Sequence, residues 1–254
     1  MANKAFASDF DGTIWFNKDG QWYYHPEDFQ AIREFQQAGG LFGISTGRSL
    51  VGVESAMERI MPPQDIVHFD FFILANGASV LDANHDTIAK TFMDKATIMK
   101  LYERYLPESK IVINANGTVY TLQEPLTNQT KISSFDELEG ELFGISFWCE
   151  DPSVAARIAA EINRDMPDVA LAHQNRWTVD VVGPGCTKGN AVEIVRKHYS
   201  LDRIAGVGDS FNDLPMLKSA DVAFTFAHAP EELQSHADYV VDKVSDAIAL
   251  FQSE

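Results

Sequence analysis

The chain alternates short apolar runs of strand length with longer segments whose apolar residues recur at helical spacing. In one such segment, over 27–38, Phe29, Ile32 and Phe35 fall on a single helix face. The strand-like runs lie at 5–10, 41–45, 69–74, 204–207, 220–224 and 239–241. Strands that alternate with helices predict an α/β fold, a Rossmann-like, doubly wound parallel sheet with helices on both faces.

The middle of the chain follows a different pattern. Two strand-like runs flank Asn116-Gly117, a strong hairpin signal, and the runs at 169–172 and 177–182 suit a second antiparallel pair. We therefore predict a core domain from 1–91 and 184–254, interrupted by an α+β cap domain at 92–183. Within the cap, we expect Asn114 and Asn116 to form turns and Trp148 and Trp177 to pack in the hydrophobic core.

Two carboxylates, Asp9 and Asp11, stand where the first apolar run meets Gly12. One carboxylate of such a pair can attack phosphorus to form an acyl phosphate, and the other can transfer a proton to the leaving oxygen. Asp and Gly also favour plain tight turns. Motif I, residues 9–13, therefore leaves catalysis and a simple turn as alternatives.

Three further polar segments accompany motif I. Motif II is Ile44-Ser45-Thr46-Gly47-Arg48, motif III is Gly185-Cys186-Thr187-Lys188-Gly189-Asn190, and motif IV spans 206–217 and contains Gly208-Asp209-Ser210-Phe211-Asn212-Asp213. Motifs I, II and IV each follow a predicted strand and precede a predicted helix. In open α/β sheets, ligands bind at that end of the strands.

Lys188 stands at or just before the first turn of a predicted helix, where the helix dipole disfavours a cation. A compensating anion, such as the Asp9 carboxylate or a bound phosphate, would explain its position. The alternative is a solvated surface lysine. Carboxylates gathered at motifs I and IV would likewise repel one another unless a cation joined them, and an all-oxygen site beside a phosphate suits Mg²⁺.

The four motifs, taken in this order, resemble the haloacid dehalogenase superfamily of phosphohydrolases, and the last is similar to that of its Cof-like branch with a type IIB cap. The resemblance covers nearly the whole chain. It implies that Asp9 becomes an aspartyl phosphate, that Asp11 is the acid and base, and that Thr46 and Lys188 complete the catalytic set. It also implies Mg²⁺ ligands from Asp9, the Asp11 carbonyl and Asp209, with Asn212 and Asp213 nearby or as a further ligand.

Substrate contacts are expected from both domains. In the core, the candidates are Gly12, Ser45, Gly47, Arg48 and Asn212, with Ser45 an alternative hydroxyl donor to Thr46 and Arg48 either structural or in contact with the substrate. In the cap, the candidates are Asn175 and Arg176, in the turn before the last strand. The aromatic segment 15–25 departs from the usual link after motif I and is expected to shape access to the cleft.

Composition limits the partners. The formal net charge of −17 is spread along the chain, which argues against nucleic acid and anionic membranes; Arg48, Lys188 and a cation would keep the cleft locally positive. The sequence has no signal peptide or membrane-length apolar run, so we expect a cytoplasmic protein, a monomer or weak homodimer. Of its two cysteines, Cys186 could be a reactive thiolate beside Lys188 or, as we favour, a small loop residue.

The predicted function is a Mg²⁺-dependent phosphatase of small phosphorylated metabolites, most of all sugar phosphates. A phosphomutase is one alternative, because the same nucleophile can return the phosphoryl group to substrate. A receiver-type phospho-acceptor module is another, but such modules resemble this chain less, being shorter and without a cap insert. A catalytically inactive binding protein is disfavoured because the motif residues are intact.

Overall fold

The computed structural model describes residues 3–125 and 129–253. In chain order its strands are β1 Lys4–Ser8, β2 Phe16–Lys18, β3 Gln21–Tyr23, β4 Leu41–Ser45, β5 Phe71–Leu74, β6 Ser79–Asp82, β7 Thr87–Lys90, β8 Lys110–Ala115, β9 Thr118–Thr121, β10 Thr130–Lys131, β11 Leu142–Trp148, β12 Leu171–Asn175, β13 Thr178–Val182, β14 Arg203–Val207, β15 Val222–Phe226 and β16 Tyr239–Val241. Its helices are α1 Pro26–Gln37, α2 Leu50–Ile60, α3 Lys95–Tyr105, α4 Pro152–Asp165, α5 Lys188–Tyr199, α6 Leu214–Ser219, α7 Glu231–Gln234 and α8 Val244–Ser253.

The core sheet has the strand order β16-β15-β14-β1-β4-β5-β6-β7. Its neighbours are parallel from β16 to β5. The order reverses at β1, and in a doubly wound sheet the crevice at such a reversal is where ligands bind. The predicted α/β class is confirmed, and motifs I, II and IV leave the sheet at this crevice.

Alternate residues of β1 explain why helices cover both faces of the sheet. Phe6 points to one face, where its ring packs against Phe35 of α1 and Phe251 of α8. Ala5 and Ala7 point to the other face and join the apolar cluster that includes residues of α5. A strand buried on both sides reads as a continuous apolar run, which is why it could be predicted.

Two parts of the core differ from the prediction. The sheet is not wholly parallel, because β6 and β7 extend it as an antiparallel meander after the turn at Asn76-Gly77. A separate two-stranded hairpin, β2–β3, follows motif I. Both strands of that hairpin are three residues long, too short to give an alternating pattern in the sequence.

A second sheet, with the order β10-β9-β8-β11-β13-β12, forms the cap. The neighbours from β9 to β12 are antiparallel, as the predicted hairpin and strand pair required. Helices α3 and α4 contribute to the apolar cluster on one face of this sheet. Residues on the other face line a cavity shared with the core. The domain boundaries at 92 and 183 stay a prediction.

Three predictions about cap side chains are wrong. Trp148 and Trp177 are not in the cap core, since they are 40% and 55% exposed. Trp148 ends β11 on the face that lines the cavity, because Phe147 takes the position that points to the core. Asn114 lies within β8 rather than in a turn; Asn116, with φ of 51°, does form the turn.

Among the described residues, none of the helices combines the length and the apolar character needed to cross a bilayer.

Packing of the last helix can be tested at adjacent positions of α8. Phe251 is fully buried and makes an edge-to-face contact with Phe6, whereas Leu250 is 38% exposed. We expect Phe251→Ala to lower the free energy of unfolding by about 3 kcal/mol and Leu250→Ala by less than about 1 kcal/mol, measured by urea denaturation. Equal losses at the two positions would contradict the described packing.

Candidate active site

Three buried carboxylates gather at the crevice of the core sheet. Asp9 follows β1, and Asp209 and Asp213 follow β14. One carboxylate oxygen from each lies within 4.8 Å of the others. Adjacent parallel strands end at the same edge of the sheet, so their loops bring motifs I and IV together.

Lys188 is fully buried among these carboxylates. It is the first residue of α5, which Thr187 caps by accepting a hydrogen bond from the Asn190 amide. The Lys188 Nζ donates to Asp9 Oδ1 at 2.6 Å and to Asp213 Oδ1 at 2.5 Å. The lysine is therefore not a solvated surface residue, and carboxylates compensate its charge at the helix start.

The electrostatics of the cluster are unbalanced without a further cation. Burial raises the pKa of Asp9 to about 7, with a further rise from Asp213 that Lys188 partly offsets. Burial, and next the charge of Asp9, raise the pKa of Asp209 to about 7. Burial also raises the pKa of Asp213. One ammonium facing three carboxylates leaves room for two more positive charges, so the donor set fits a divalent cation.

Unpaired oxygens at the cluster support the same conclusion. Asp209 Oδ1 and Asn212 Oδ1 are buried and have no hydrogen-bond partner among the described residues. Leaving a buried acceptor unsatisfied costs free energy. Oxygen atoms of this kind are the ligands that hard divalent cations take, so Asp9, Asp209, Asp213 and Asn212 could hold such an ion.

Gly12 allows motif I to pass close to motif IV. Its φ is +87°, and a Cβ atom built there would lie 2.5 Å from Asp209 Oδ2. Its amide donates to Trp15 O at 2.8 Å, and the next residue, Thr13, donates its hydroxyl to Asp9 Oδ2 at 3.2 Å. The Thr13 hydroxyl thus orients the Asp9 side chain, and the Gly12 amide already has the Trp15 carbonyl as its partner.

Motif II supplies a second wall of the site. Thr46 and Gly47 line the cavity between core and cap. The Thr46 hydroxyl accepts from the Arg48 amide at 3.2 Å, which leaves its own proton available for donation. Ser45 is fully buried and is not among the residues that line the cavity, and its hydroxyl has no partner within the described residues.

Arg48 binds Asp11 in a bidentate pair. Its Nε and Nη2 donate to Asp11 Oδ2 and Oδ1, both at 2.6 Å, and its Nη1 donates to the Gly52 carbonyl at 3.0 Å. The guanidinium lies 5.3 Å from the ring centre of Phe10 and 5.6 Å from that of Trp22. Paired guanidinium contacts of this kind fix the plane of a carboxylate, so Arg48 orients Asp11.

The turn between β12 and β13 reaches from the cap to motif IV. Asn175 Oδ1 accepts a hydrogen bond from the Ser210 hydroxyl at 3.0 Å. Arg176, exposed and with φ of 50°, places Nη2 3.8 Å from Asp209 Oδ2. His228 Nε2 lies at the same distance from this oxygen. Both predicted cap residues therefore border the acidic cluster.

A cavity of about 450 Å³ lies above the cluster. The core contributes Asp9, Asp11 and motif II, and the open face of the cap sheet contributes Asn114, Ser146, Trp148, Thr178 and Asp180. A second cavity of about 530 Å³ shares Asp11 and Trp22 with the first. Trp22 comes from the β2–β3 hairpin, so the aromatic segment after motif I does border the cleft.

Two residues at the junction of core and cap were not among the predicted site residues. Asn76 lies in the turn that follows β5, and Asp180 lies in β13. The structure joins them by a hydrogen bond of 3.1 Å. Alternation in 177–182 could have indicated that Asp180 faces away from the cap core, but no local pattern indicates its partner.

Cys186 is buried, and burial raises the pKa of its thiol. Its carbonyl lies 2.8 Å from His173 Nε2. This environment disfavours the thiolate and supports the interpretation of Cys186 as a small loop residue.

Comparison with known proteins agrees with this geometry. The model of the haloacid dehalogenase-like hydrolase family matches residues 6–251. The fold is similar to that of SMU.1108c from Streptococcus mutans, with a TM-score of 0.81 and 20% identity over 100% of both chains. A HAD/COF-like hydrolase from Plasmodium vivax has a TM-score of 0.84 at 20% identity, over 100% of this chain and 97% of that one.

Curated relatives of similar sequence identity also cover almost the whole chain. The 5-amino-6-(5-phospho-D-ribitylamino)uracil phosphatase YcsE of Bacillus subtilis is 23% identical over 97% of this chain and 93% of its own length. The pyridoxal phosphate phosphatase YbhA of Escherichia coli is 20% identical, over 99% and 98%.

The chain belongs to the haloacid dehalogenase-like hydrolase family. Its core sheet, with an acidic cluster at the crevice and a cap sheet above it, has the fold of the HAD subclass IIB and HAD/COF-like structures.

The close approach of Gly12 to Asp209 gives a testable pair of variants. Gly12→Ala and Gly20→Ala place alanine at similar positive φ values, +87° and +81°, but only the first meets neighbouring atoms. We expect each to lose about 1–2 kcal/mol of stability from backbone strain. Only Gly12→Ala should also abolish metal-dependent phosphatase activity, because its Cβ displaces Asp209.

Thermal denaturation and phosphate release measured side by side would separate the two effects. A Gly12→Ala protein with the activity of Gly20→Ala would contradict the proposed contact.

Proposed function

We propose that this protein is a Mg²⁺-dependent phosphatase that hydrolyses sugar phosphates and similar polyhydroxyl phosphates through a phosphorylated Asp9. The observation that carries the proposal is the buried Lys188, whose ammonium joins Asp9 to Asp213 beside Asp209. A lysine in this position neutralises part of the charge that a phosphate brings to three carboxylates. It also holds the Asp9 carboxylate at the floor of the cavity.

In the first step, an Asp9 oxygen attacks phosphorus, and the bond from phosphorus to the substrate oxygen breaks. Asp9 is oriented for attack by two donors, Lys188 Nζ and the Thr13 hydroxyl. Thr46 and Lys188 supply hydrogen-bond donors for the phosphoryl oxygens, where charge stabilisation contributes most to phosphoryl transfer. The leaving oxygen takes a proton from Asp11.

In the second step, water attacks phosphorus, and the bond between the Asp9 oxygen and phosphorus breaks to release phosphate. Asp11 takes the proton from that water. Both Asp11 oxygens accept hydrogen bonds from Arg48, and this bidentate contact fixes the plane of the carboxyl group. To donate a proton in the first step, it must loosen its contact with the guanidinium.

The acidic cluster would hold Mg²⁺ through the Asp9 side chain, the Asp11 carbonyl and Asp209, with Asn212 and Asp213 nearby or one of them as a further ligand. When bound, the ion supplies positive charge next to the phosphoryl group. The unpaired Asp209 Oδ1 supports this assignment.

The cavity supports a polyhydroxyl leaving group. Its cap side combines amide and hydroxyl side chains, Asn114, Ser146 and Thr178, with the indole of Trp148. Its volume of about 450 Å³ suits a small metabolite. Among the structural relatives is the HAD subclass IIB sugar phosphatase BT4131, with a TM-score of 0.77 and 18% identity over 98% of this chain and 99% of that one.

Replacement of the nucleophile tests the reaction directly. We expect wild-type protein with Mg²⁺ to release phosphate from an aryl phosphate and from sugar phosphates, and a chelator to stop it. Asp9→Asn should lower kcat by about a thousandfold or more, because an amide cannot form the acyl phosphate. Asp168→Asn, an exposed cap position, is the control; retained activity in Asp9→Asn with an intact fold would refute the assignment.

The role of Arg48 can be separated from substrate binding. Arg48→Lys keeps the charge but loses the bidentate fork to Asp11, so we expect kcat to fall about tenfold while KM changes by less than about threefold. Arg59→Lys is the matched control, because Arg59 lies in α2, the helix that follows Arg48, and lines the same cavity. A rise in KM at unchanged kcat in Arg48→Lys would instead mean that Arg48 binds the substrate.

A further inference from the structure

The turn from Ala75 to Gly77 has an unusual backbone. All three residues have positive φ values, 47° at Ala75, 52° at Asn76 and 97° at Gly77. Residues with a Cβ rarely adopt the left-handed region, and alanine has no polar side chain to compensate. Strain of this kind persists where surrounding contacts impose it, and it clusters at functional sites.

The contacts that impose it come from the catalytic segments. The Ala75 amide donates to Arg48 O and the Asn76 amide to Thr46 O, both at 3.0 Å. A Cβ on Gly77 would lie 2.5 Å from the carbonyl of Thr187, the residue before Lys188. The turn therefore packs against both motif II and motif III.

The Asn76 side chain extends these contacts to motif IV and to the cap. It is 1% exposed. Its Nδ2 donates to Asp180 Oδ2 of the cap, and its Oδ1 accepts from Asn212 Nδ2, each at 3.1 Å. The buried Asn76 amide thus donates one hydrogen bond to the cap strand β13 and accepts another from Asn212 of motif IV.

On the cap side, the hydrogen bonds continue across the sheet face that lines the cavity. Asp180 Oδ1 accepts from the Ser146 hydroxyl at 2.6 Å, and Asn114 Nδ2 donates to that hydroxyl at 3.4 Å. Gly47 permits the approach of the carboxylate, since a Cβ there would lie 2.9 Å from Asp180 Oδ2. The Asp180 carboxylate therefore packs against Gly47 of motif II.

We propose that Asn76 is a positioning residue that couples closure of the cap to the orientation of Asn212. The coupling rests on the proposed function in so far as Asn212 faces the reacting phosphate. With the cap closed, Asp180 holds the Asn76 amide, and Asn76 in turn holds the Asn212 amide. With the cap open, Asn76 loses that partner and Asn212 loses its fixed orientation, so the site is complete only over a bound substrate.

A swap of the two side chains tests the coupling. Asn76→Asp puts an acceptor against the Asp180 carboxylate and breaks the bond to the cap, but it keeps the acceptor for Asn212. Adding Asp180→Asn restores the bond with its direction reversed, since the new amide donates to the new carboxylate. Asn76→Gly, which accepts positive φ and removes the side chain, is a second variant should Asn76→Asp fold poorly.

Two readouts keep this test separate from the proposed function. The first is the distribution of distances between spin labels on the exposed positions Lys100 of the cap and Lys197 of the core, each changed to cysteine, with and without orthovanadate and Mg²⁺. The second is kcat and KM for phosphate release. We expect Asn76→Asp to broaden the distances and lower kcat by about tenfold at nearly constant KM.

The swapped pair should return both readouts to within about twofold of the wild type. Wild-type distances in Asn76→Asp and in Asn76→Gly would overturn the coupling, whatever the activity. A folded swapped pair that stays as broad and as slow as Asn76→Asp would overturn it as well. Absence of phosphate release from the wild type would refute the proposed function, while the distances would still decide the coupling.

Discussion

The buried ion group around Lys188 is the interaction on which the site depends. An ammonium with no exposed surface is stable only if charged partners replace the lost water, and Asp9 and Asp213 do so at 2.6 and 2.5 Å. Burial alone would lower the pKa of Lys188, but these carboxylates raise it above its ordinary value. Removing one partner from such a group typically costs about 3–5 kcal/mol, so the residues that make the site reactive also hold motifs I, III and IV together.

This group also reconciles the acidic composition of the protein with the anionic substrate that we propose. The chain carries a formal net charge of −17, yet the cleft gathers Lys188, Arg48 and Arg176. Local charge outweighs distant charge because exposed charges more than a Debye length away are screened. A divalent cation bound at the cluster would neutralise the negative charge of the carboxylates that the one ammonium leaves unpaired.

Local signals in the sequence were enough to predict the α/β core and the position of motifs I, II and IV at one edge of its sheet. Apolar runs such as 41–45 and the polar residues that follow each strand are local features, and the topology of a parallel sheet brings them to one edge. The antiparallel strands β6 and β7 and the hairpin β2–β3 were not predicted, because they are short and depend on contacts with neighbours. The burial of Trp148 was predicted wrongly because an aromatic residue at the end of a strand can point to either face of the sheet.

The junction of cap and core could not be predicted, because it is made by residues far apart in the chain. Asn76 and Asp180 are 104 positions apart, and Asn76 and Asn212 are 136 apart. Each has an ordinary local interpretation, in a turn, a strand or a helix cap. Only the folded chain shows that hydrogen bonds link Asp180, on the cap side of the cavity, through Asn76 to Asn212 of motif IV.

The central claim is that Asp9 carries the phosphoryl group during turnover. The most direct measurement is acid quenching of the enzyme during hydrolysis of a phosphorylated sugar, followed by mass spectrometry of the peptides. The account predicts one added phosphoryl group on Asp9, lost again as phosphate is released. A phosphoryl group on another residue during turnover would contradict it. So would turnover without any phosphorylated peptide under conditions that slow hydrolysis of the acyl phosphate.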